Sequence, residues 1–211
     1  RLFVAQCIRF WPQYAVARNL VRSGKWGRVL TAAFRRFSSS PLWSWQGWLQ
    51  DPRRSGLAAL DLHIHDADFV LHTFGTPRSV TAHGGGLKAG RLDHILASYD
   101  YGKGKLVTAE GAWEFAAGFP FSMTFAIVMQ KATLAMGPDL KLLLHRVRGG
   151  TVEVKAPAGD GYGHELAHFV ECIRKNKASP VVTPESALQS VKLVEAEVRS
   201  VRSGKTVRVR L

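Results

Sequence analysis

Seven short segments, 78–88, 93–101, 104–115, 121–130, 131–136, 140–147 and 151–155, succeed one another through the middle of the chain. Each is rich in β-branched or aromatic residues, and glycine-containing turns separate them. Segments this short, with no helical stretch between them, pair as antiparallel strands rather than as βαβ units. YDYGKGKLVTAEGAWEF reads as one hairpin turning around Gly102 and Gly104. The expected product is a mostly antiparallel sheet of about six strands, within the usual range. Residues 28–37 read as a further strand, and TVRVRL closes the chain as an alternating one.

Helical patterns bracket the strands. Residues 12–23 begin with Pro12, suited to a first helical turn, and stop at Gly24. Residues 164–176 put Leu166, Phe169, Val170 and Ile173 on one stripe. Thr183 caps the last helix, Pro184 fits its first turn and Glu185 suits its positive end. Ala187, Leu188, Val191, Val194, Val198 and Val201 then run at helical spacing to Gly204. Three such helices cover one sheet face only. Strands such as SMTFAIVMQ are apolar on both sides, so the outer face is expected to pack against a second copy as a homo-oligomer. The fold class is α+β: an open, mostly antiparallel sheet with helices packed on one face, in a single domain over 1–211. No internal repeat, low-complexity tract or linker divides it.

Hydrophobic residues make up 46% of the 211 residues, enough for a real core. No apolar run reaches the ~18 residues of a spanning helix, and RLFVAQCIRF lacks the apolar stretch of a secretory signal. Cys7 and Cys172 lie far apart without a Cys-x-x-Cys pair, so they read as reduced thiols of a cytoplasmic protein. The net charge of +13 is concentrated at the two ends of the chain. No zinc finger, helix-turn-helix or RNA-binding aromatic signature accompanies it, so no nucleic-acid or membrane partner is expected.

Chemistry concentrates in residues 55–75, SGLAALDLHIHDADFVLHTFG. Asp61, His65, Asp68 and His72 share one helical stripe, while Leu60, Ile64, Ala67, Leu71 and Phe74 form a core stripe. Gly56 introduces this helix and Gly75 ends it. A carboxylate and an imidazole one turn apart make an acid/base pair, since histidine titrates near neutral pH. Upstream, Trp43, Trp45 and Trp48 crowd one loop. Packing that loop onto the domain is the plain account; lining a sugar or nicotinamide pocket with an indole such as Trp48 is the sharper one.

The stretch CIRFWPQYAVARNLVRSGKWGRV, with Arg9, Phe10, Pro12, Ser23, Gly24 and Gly27, resembles the segment that follows the nucleotide-binding half of Gfo/Idh/MocA oxidoreductases. Asp61, His65, Asp66 and Asp68 match that family's central signature, and the tail from His164 resembles its closing helices and strand. The resemblance implies a dihydrodipicolinate-reductase-like C-terminal domain, with the N-terminal Rossmann domain absent from this chain. It implies NAD or NADP as cofactor and a sugar or polyol as substrate. His65 would take the hydroxyl proton, Asp61 would bind substrate and tune the imidazole, and Arg9, Trp48, His63 and Tyr162 would contact substrate. No G-x-G-x-x-G loop occurs, so the isolated chain is expected to be inactive. Ser55-Gly56 stands where the family has two glycines, and His63 where it has a small residue. Packing readings stand beside these: His63 as a packing histidine, Arg9 as a salt-bridge residue, Asp66 and Asp68 as structural acceptors. Two other functions stay open: a non-catalytic assembly module of the same fold, and a metal-dependent amidohydrolase suggested by Asp61-x-His63-x-His65. No metal is expected in the favoured reading.

Overall fold

The computed structural model describes residues 2–102 and 104–211; Arg1 and Lys103, the latter within the expected Gly102–Gly104 turn, lie outside them. Its strands are β1 (Val29–Ser39), β2 (Ser79–Gly85), β3 (His94–Asp100), β4 (Leu106–Phe115), β5 (Ser122–Met129), β6 (Ala132–Met136), β7 (Leu142–Arg146), β8 (Thr151–Glu153) and β9 (Val207–Arg208). They form one nine-stranded sheet in the order β8-β7-β6-β5-β1-β4-β3-β2-β9. All seven middle segments are strands, but the sheet holds nine rather than about six. The seven segments already exceed that number, and β1 at the centre and β9 at the edge bring it to nine. β1 lies between β4, to which it is parallel, and β5, to which it is antiparallel. TVRVRL contributes only Val207 and Arg208, which pair with Val80 and Ser79.

The helices are α1 (Pro12–Arg22), α2 (Pro52–Ser55), α3 (Ile64–Phe74), α4 (Gly161–Arg174) and α5 (Pro184–Ser203). None of those described is long and apolar enough to cross a membrane. A reciprocal cap starts α5: Thr183 Oγ1 accepts from the Ser186 N–H and Ser186 Oγ from the Thr183 N–H, both at 3.1 Å. Period-two burial fixes the sheet's inner face. Met123, Phe125, Ile127 and Met129 are buried, whereas Thr124, Ala126 and Val128 on the outer face are half-buried. Tyr14 stands edge-on to Phe69 and Phe125, at 4.9 and 5.0 Å, and joins α1, α3 and the sheet.

Three helical expectations change. The stripe of α4 turns outward: Leu166, Val170 and Ile173 are exposed, and only Phe169 turns back, to Phe3 at 4.8 Å. Gly56 ends the short helix α2 in the left-handed region instead of introducing the central helix. The central helix begins with a π turn over Ala59–His63, where the Ile64 N–H bonds the Ala59 carbonyl, and only then becomes α3. Such turns gather at functional sites. This one is pressed onto β4: a Cβ on Gly111 would stand 2.7 Å from the His63 Cβ and 3.0 Å from its Cα. Any larger residue at 111 requires the π turn to move.

Candidate active site

A cleft of about 240 Å3 opens where the π turn, the C-terminal part of β1, the start of β5, the N-terminus of α4 and the segment before α1 meet. Asp61, Leu62 and His65 come from the central helix, Arg36 from β1, Phe121 and Met123 from the β5 end. Cys7, Ile8, Trp11 and Tyr162 complete the wall. The sequence places them here simply. Asp61 and His65 are four residues apart on continuous helix. Arg36 follows Ala32 and Phe34 at period two on the inward face of β1.

His65 is half-buried, with Nδ1 4.0 Å from Cys7 Sγ, and its Nε2 has no hydrogen-bond partner among the described residues. Desolvation first, and then the Arg36 charge, push the imidazole down to about 4, against a smaller opposing pull from Asp66. The ring is therefore neutral at neutral pH, with a nitrogen free to accept a proton. Burial pushes the Asp61 carboxyl up. Burial also pushes the Cys7 thiol up to about 11, so it is protonated and unreactive. Tyr162 is exposed at the mouth, edge-on to Trp11 at 5.7 Å.

Arg36 is the member that sequence reasoning missed. It is 2% exposed, donates from Nε and Nη2 to the two Asp66 oxygens at 2.8 and 3.2 Å, and has its guanidinium 5.9 Å from the Phe121 ring centroid. The signal was available: an arginine in phase with apolar residues on a strand's buried face needs an internal carboxylate. Cys7, Trp11 and Phe121 carry no comparable sequence signal, because tertiary packing alone brings them to the cleft.

Three expected substrate contacts lie elsewhere. Arg9 is buried, with Nε and Nη2 donating to Asp68 at 2.9 and 2.7 Å and Nη1 to the Val181 carbonyl and Ser186 Oγ. His63 has no exposed surface, and its Nε2 is 2.8 Å from Glu197, which also accepts from Tyr99 at 2.8 Å. Trp48 packs on the cluster of Leu49, Leu57, Ala58, Leu62 and Trp113. Arg9 thus serves an internal ion pair and His63 an internal hydrogen bond to Glu197, as their packing readings held. Asp66 and Asp68 are likewise acceptors for Arg36 and Arg9, so the polar stripe of α3 faces other elements instead of solvent. The Asp-x-His-x-His set does not converge, since His63 turns to Glu197 while Asp61 and His65 line the cleft. Among the described residues no group of three His, Cys, Asp or Glu is arranged to hold a metal ion.

Glu165 of α4 is 5% exposed, its Oε1 lacks a hydrogen-bond partner among the described residues, and burial pushes its carboxyl up to about 7. The folded chain therefore holds a proton between about pH 4.5 and 7 that the unfolded chain releases. This contribution is full below the unfolded value and is lost as pH rises through the folded one. Glu165→Gln is expected to raise the Tm at pH 8 by about 2–4 °C, the scale of roughly 1 kcal/mol in a domain this size, and to change it little at pH 4. Thermal melts at both values check this.

Residues 14–135 match the model of the GFO/IDH/MocA C-terminal domain. Scyllo-inositol 2-dehydrogenase (NAD(+)) of Bacillus subtilis is 24% identical over 95% of this chain, which spans 60% of that protein's length. An oxidoreductase of Agrobacterium radiobacter, solved with NAD+, L-tartaric acid and magnesium, superposes with a TM-score of 0.83 at 19% identity, over 99% of this chain and 65% of its own. Levoglucosan dehydrogenase, solved with NADH and levoglucosan, gives 0.82 at 19% identity, over 99% of this chain and 66% of its own. With the open sheet, the helices on its inner face and the family model matched over more than half its length, the chain belongs to the GFO/IDH/MocA family and has the fold of its C-terminal domain.

Proposed function

We propose that this chain is the substrate-binding, acid/base part of an NAD(P)-dependent oxidoreductase that interconverts a hydroxyl and a carbonyl on a sugar or polyol. The observation that carries the reading is His65: a neutral imidazole with an unpartnered Nε2, beside Asp61, in a cleft with aromatic walls. A neutral imidazole can take the hydroxyl proton, which is the protein's share of such a reaction. Asp61 has no hydrogen-bond partner among the described residues and can accept a bond from a substrate hydroxyl. Burial that favours its neutral form also favours a donor in that position. Arg36, buried in the cleft wall and locked to Asp66, adds its charge to burial in keeping the imidazole deprotonated, against the smaller opposing pull of Asp66.

Trp11, Phe121 and Tyr162 offer faces for a flat or CH-rich ring, so the nicotinamide end of a dinucleotide suits the cleft. When bound, that ring would supply the hydride acceptor. Among the described residues lining the cleft, Arg36 is already paired with Asp66, so none of them is free to cradle a pyrophosphate. The relatives named with NAD(+) and NADH support the cofactor class, and inositol and levoglucosan support the substrate class. Both Cys7 and Cys172 are free and buried, which suits a reducing compartment such as the cytoplasm.

The test is a hydride-transfer assay with NAD+ and NADP+ against a panel of sugars and polyols. It compares the chain alone with the chain fused to a dinucleotide-binding domain of its family. Reduced cofactor is expected only from the fusion, and calorimetry on the chain alone is expected to find no dinucleotide binding below millimolar. Absence of turnover in the fusion for every substrate would sink the reading.

The outer sheet face, with Thr124, Ala126 and Val128 half-buried and Leu96 exposed, is proposed as a contact between copies. Sedimentation equilibrium at micromolar concentration is expected to return a dimer or tetramer mass. Leu96→Lys, placing a charge on that face, is expected to move it toward monomer.

A further inference from the structure

We propose a second sugar-binding surface on the segment between β1 and α2, so that the substrate is a saccharide or glycoside of more than one ring; this rests on the sugar reading of the cleft. Leu42, Trp43 and Trp45 are 78, 83 and 72% exposed, an unusual display for side chains of this size. They are not on a loose loop. Pro41 is buried, and Ser44, between the two indoles, is 6% exposed and accepts the Leu49 N–H at 3.3 Å. The Gly47 N–H bonds the Ser44 carbonyl at 2.9 Å. Leu49 is 3% exposed in the cluster that Trp48 covers. Inward anchors thus alternate with outward indoles, and the chain holds the rings out rigidly.

Both ends of the segment are tied to the cleft. β1 brings Arg36 to the cleft wall and ends at Ser39. Leu49, at the other end, packs with Leu62, itself a cleft residue. Phe121, another cleft residue and 55% exposed, precedes Ser122, which pairs with Phe37 near the end of β1. The exposed indoles therefore emerge at the same end of the sheet as the cleft. Gln46, next to Trp45 in sequence, and Arg53 and Arg54 of α2 are exposed hydrogen-bonding groups. A fixed indole face with polar neighbours suits the CH-rich face and hydroxyl rim of a pyranose. A ring held there would be the neighbour of the one that reacts at His65.

Calorimetry with glucose, maltose and cellobiose tests this on the chain itself and on a Trp43→Ala/Trp45→Ala variant. At least one disaccharide is expected to bind about tenfold tighter than glucose, the scale of one aromatic contact. The double variant should lose that gain and keep the glucose affinity, because neither indole lines the cleft. Equal affinities in the unmodified chain overturn the proposal and leave the cleft reading intact, whereas failure of all three sugars to bind removes both. Unchanged disaccharide binding in the variant also overturns it. So does a fall in its sedimentation mass, which would assign the indoles to a contact between copies. Circular dichroism verifies that the variant folds, as expected for side chains this exposed.

Discussion

His65→Ala lowers turnover of the dehydrogenase fusion by about 10²–10⁴-fold, the usual contribution of a positioned acid/base group, while cofactor affinity stays within about twofold. The two readouts separate because the imidazole would meet the reacting hydroxyl and not the dinucleotide phosphates. Asp61→Asn lowers turnover as well and displaces the acidic limb of its pH profile. His65 titrates near 4 in the folded chain and near 6.5 when unfolded. The unfolded chain thus takes up a proton between these values that the folded chain refuses, so stability falls as pH drops from 6.5 toward 4. His65→Asn removes that component, and its acid unfolding midpoint should lie lower than that of the unaltered chain. An alanine variant that keeps a third of its turnover would remove His65 from the reaction.

Asp68→Ala is the most damaging substitution expected for the fold. Asp68 has no exposed surface, and its Oδ1 accepts from Ser190 Oγ at 2.6 Å in addition to the Arg9 pair. Truncation leaves the Arg9 guanidinium buried without its counter-charge, for a loss of about 3–5 kcal/mol. That is a large part of the 5–15 kcal/mol that holds a typical domain together. The Arg9→Met/Asp68→Leu double variant removes both charges and should recover most of the loss, because desolvation offsets much of a buried pair's attraction. Urea unfolding followed by tryptophan emission reads all three. Glu171→Ala, which breaks the exposed pair with Lys175, should leave the midpoint unchanged.

The strands were legible because their physics is local. β-branched and aromatic runs closed by glycine need no tertiary information, although SMTFAIVMQ, read as apolar on both sides, did not disclose that Met123, Phe125, Ile127 and Met129 face the core. Thr183, Pro184 and Gly204 marked α5 for the same reason. Asp61, His65 and Tyr162 were named from the sequence and do meet in one cleft, but only the resemblance supplied Tyr162. The π turn left no mark, since one extra residue in a helix has no compositional signature. Helical period located the stripes of α3 and α4 without saying what faces them. Asp68 therefore found Arg9 instead of water, and Leu166 found water instead of the core. For Arg9 and His63 the resemblance suggested substrate contacts and the packing readings stood beside them; long-range pairing with Asp68 and Glu197 accounts for both side chains.

The central position of β1 also has a kinetic side. β2, β3 and β4 form a meander by near-neighbour pairing, and so do β5 to β8. Neither needs the other, and both can close quickly, as hairpins do in microseconds. Only β1 joins them, through Ala33 opposite Thr108 on one side and Ala126 on the other. These contacts link residues far apart in sequence, so the entropy of closing long loops falls on this one strand. Insertion of β1 is then the slow, committing step of folding. Until it occurs, β4 and β5 each expose an unpaired edge, and the chain passes through its most aggregation-prone state.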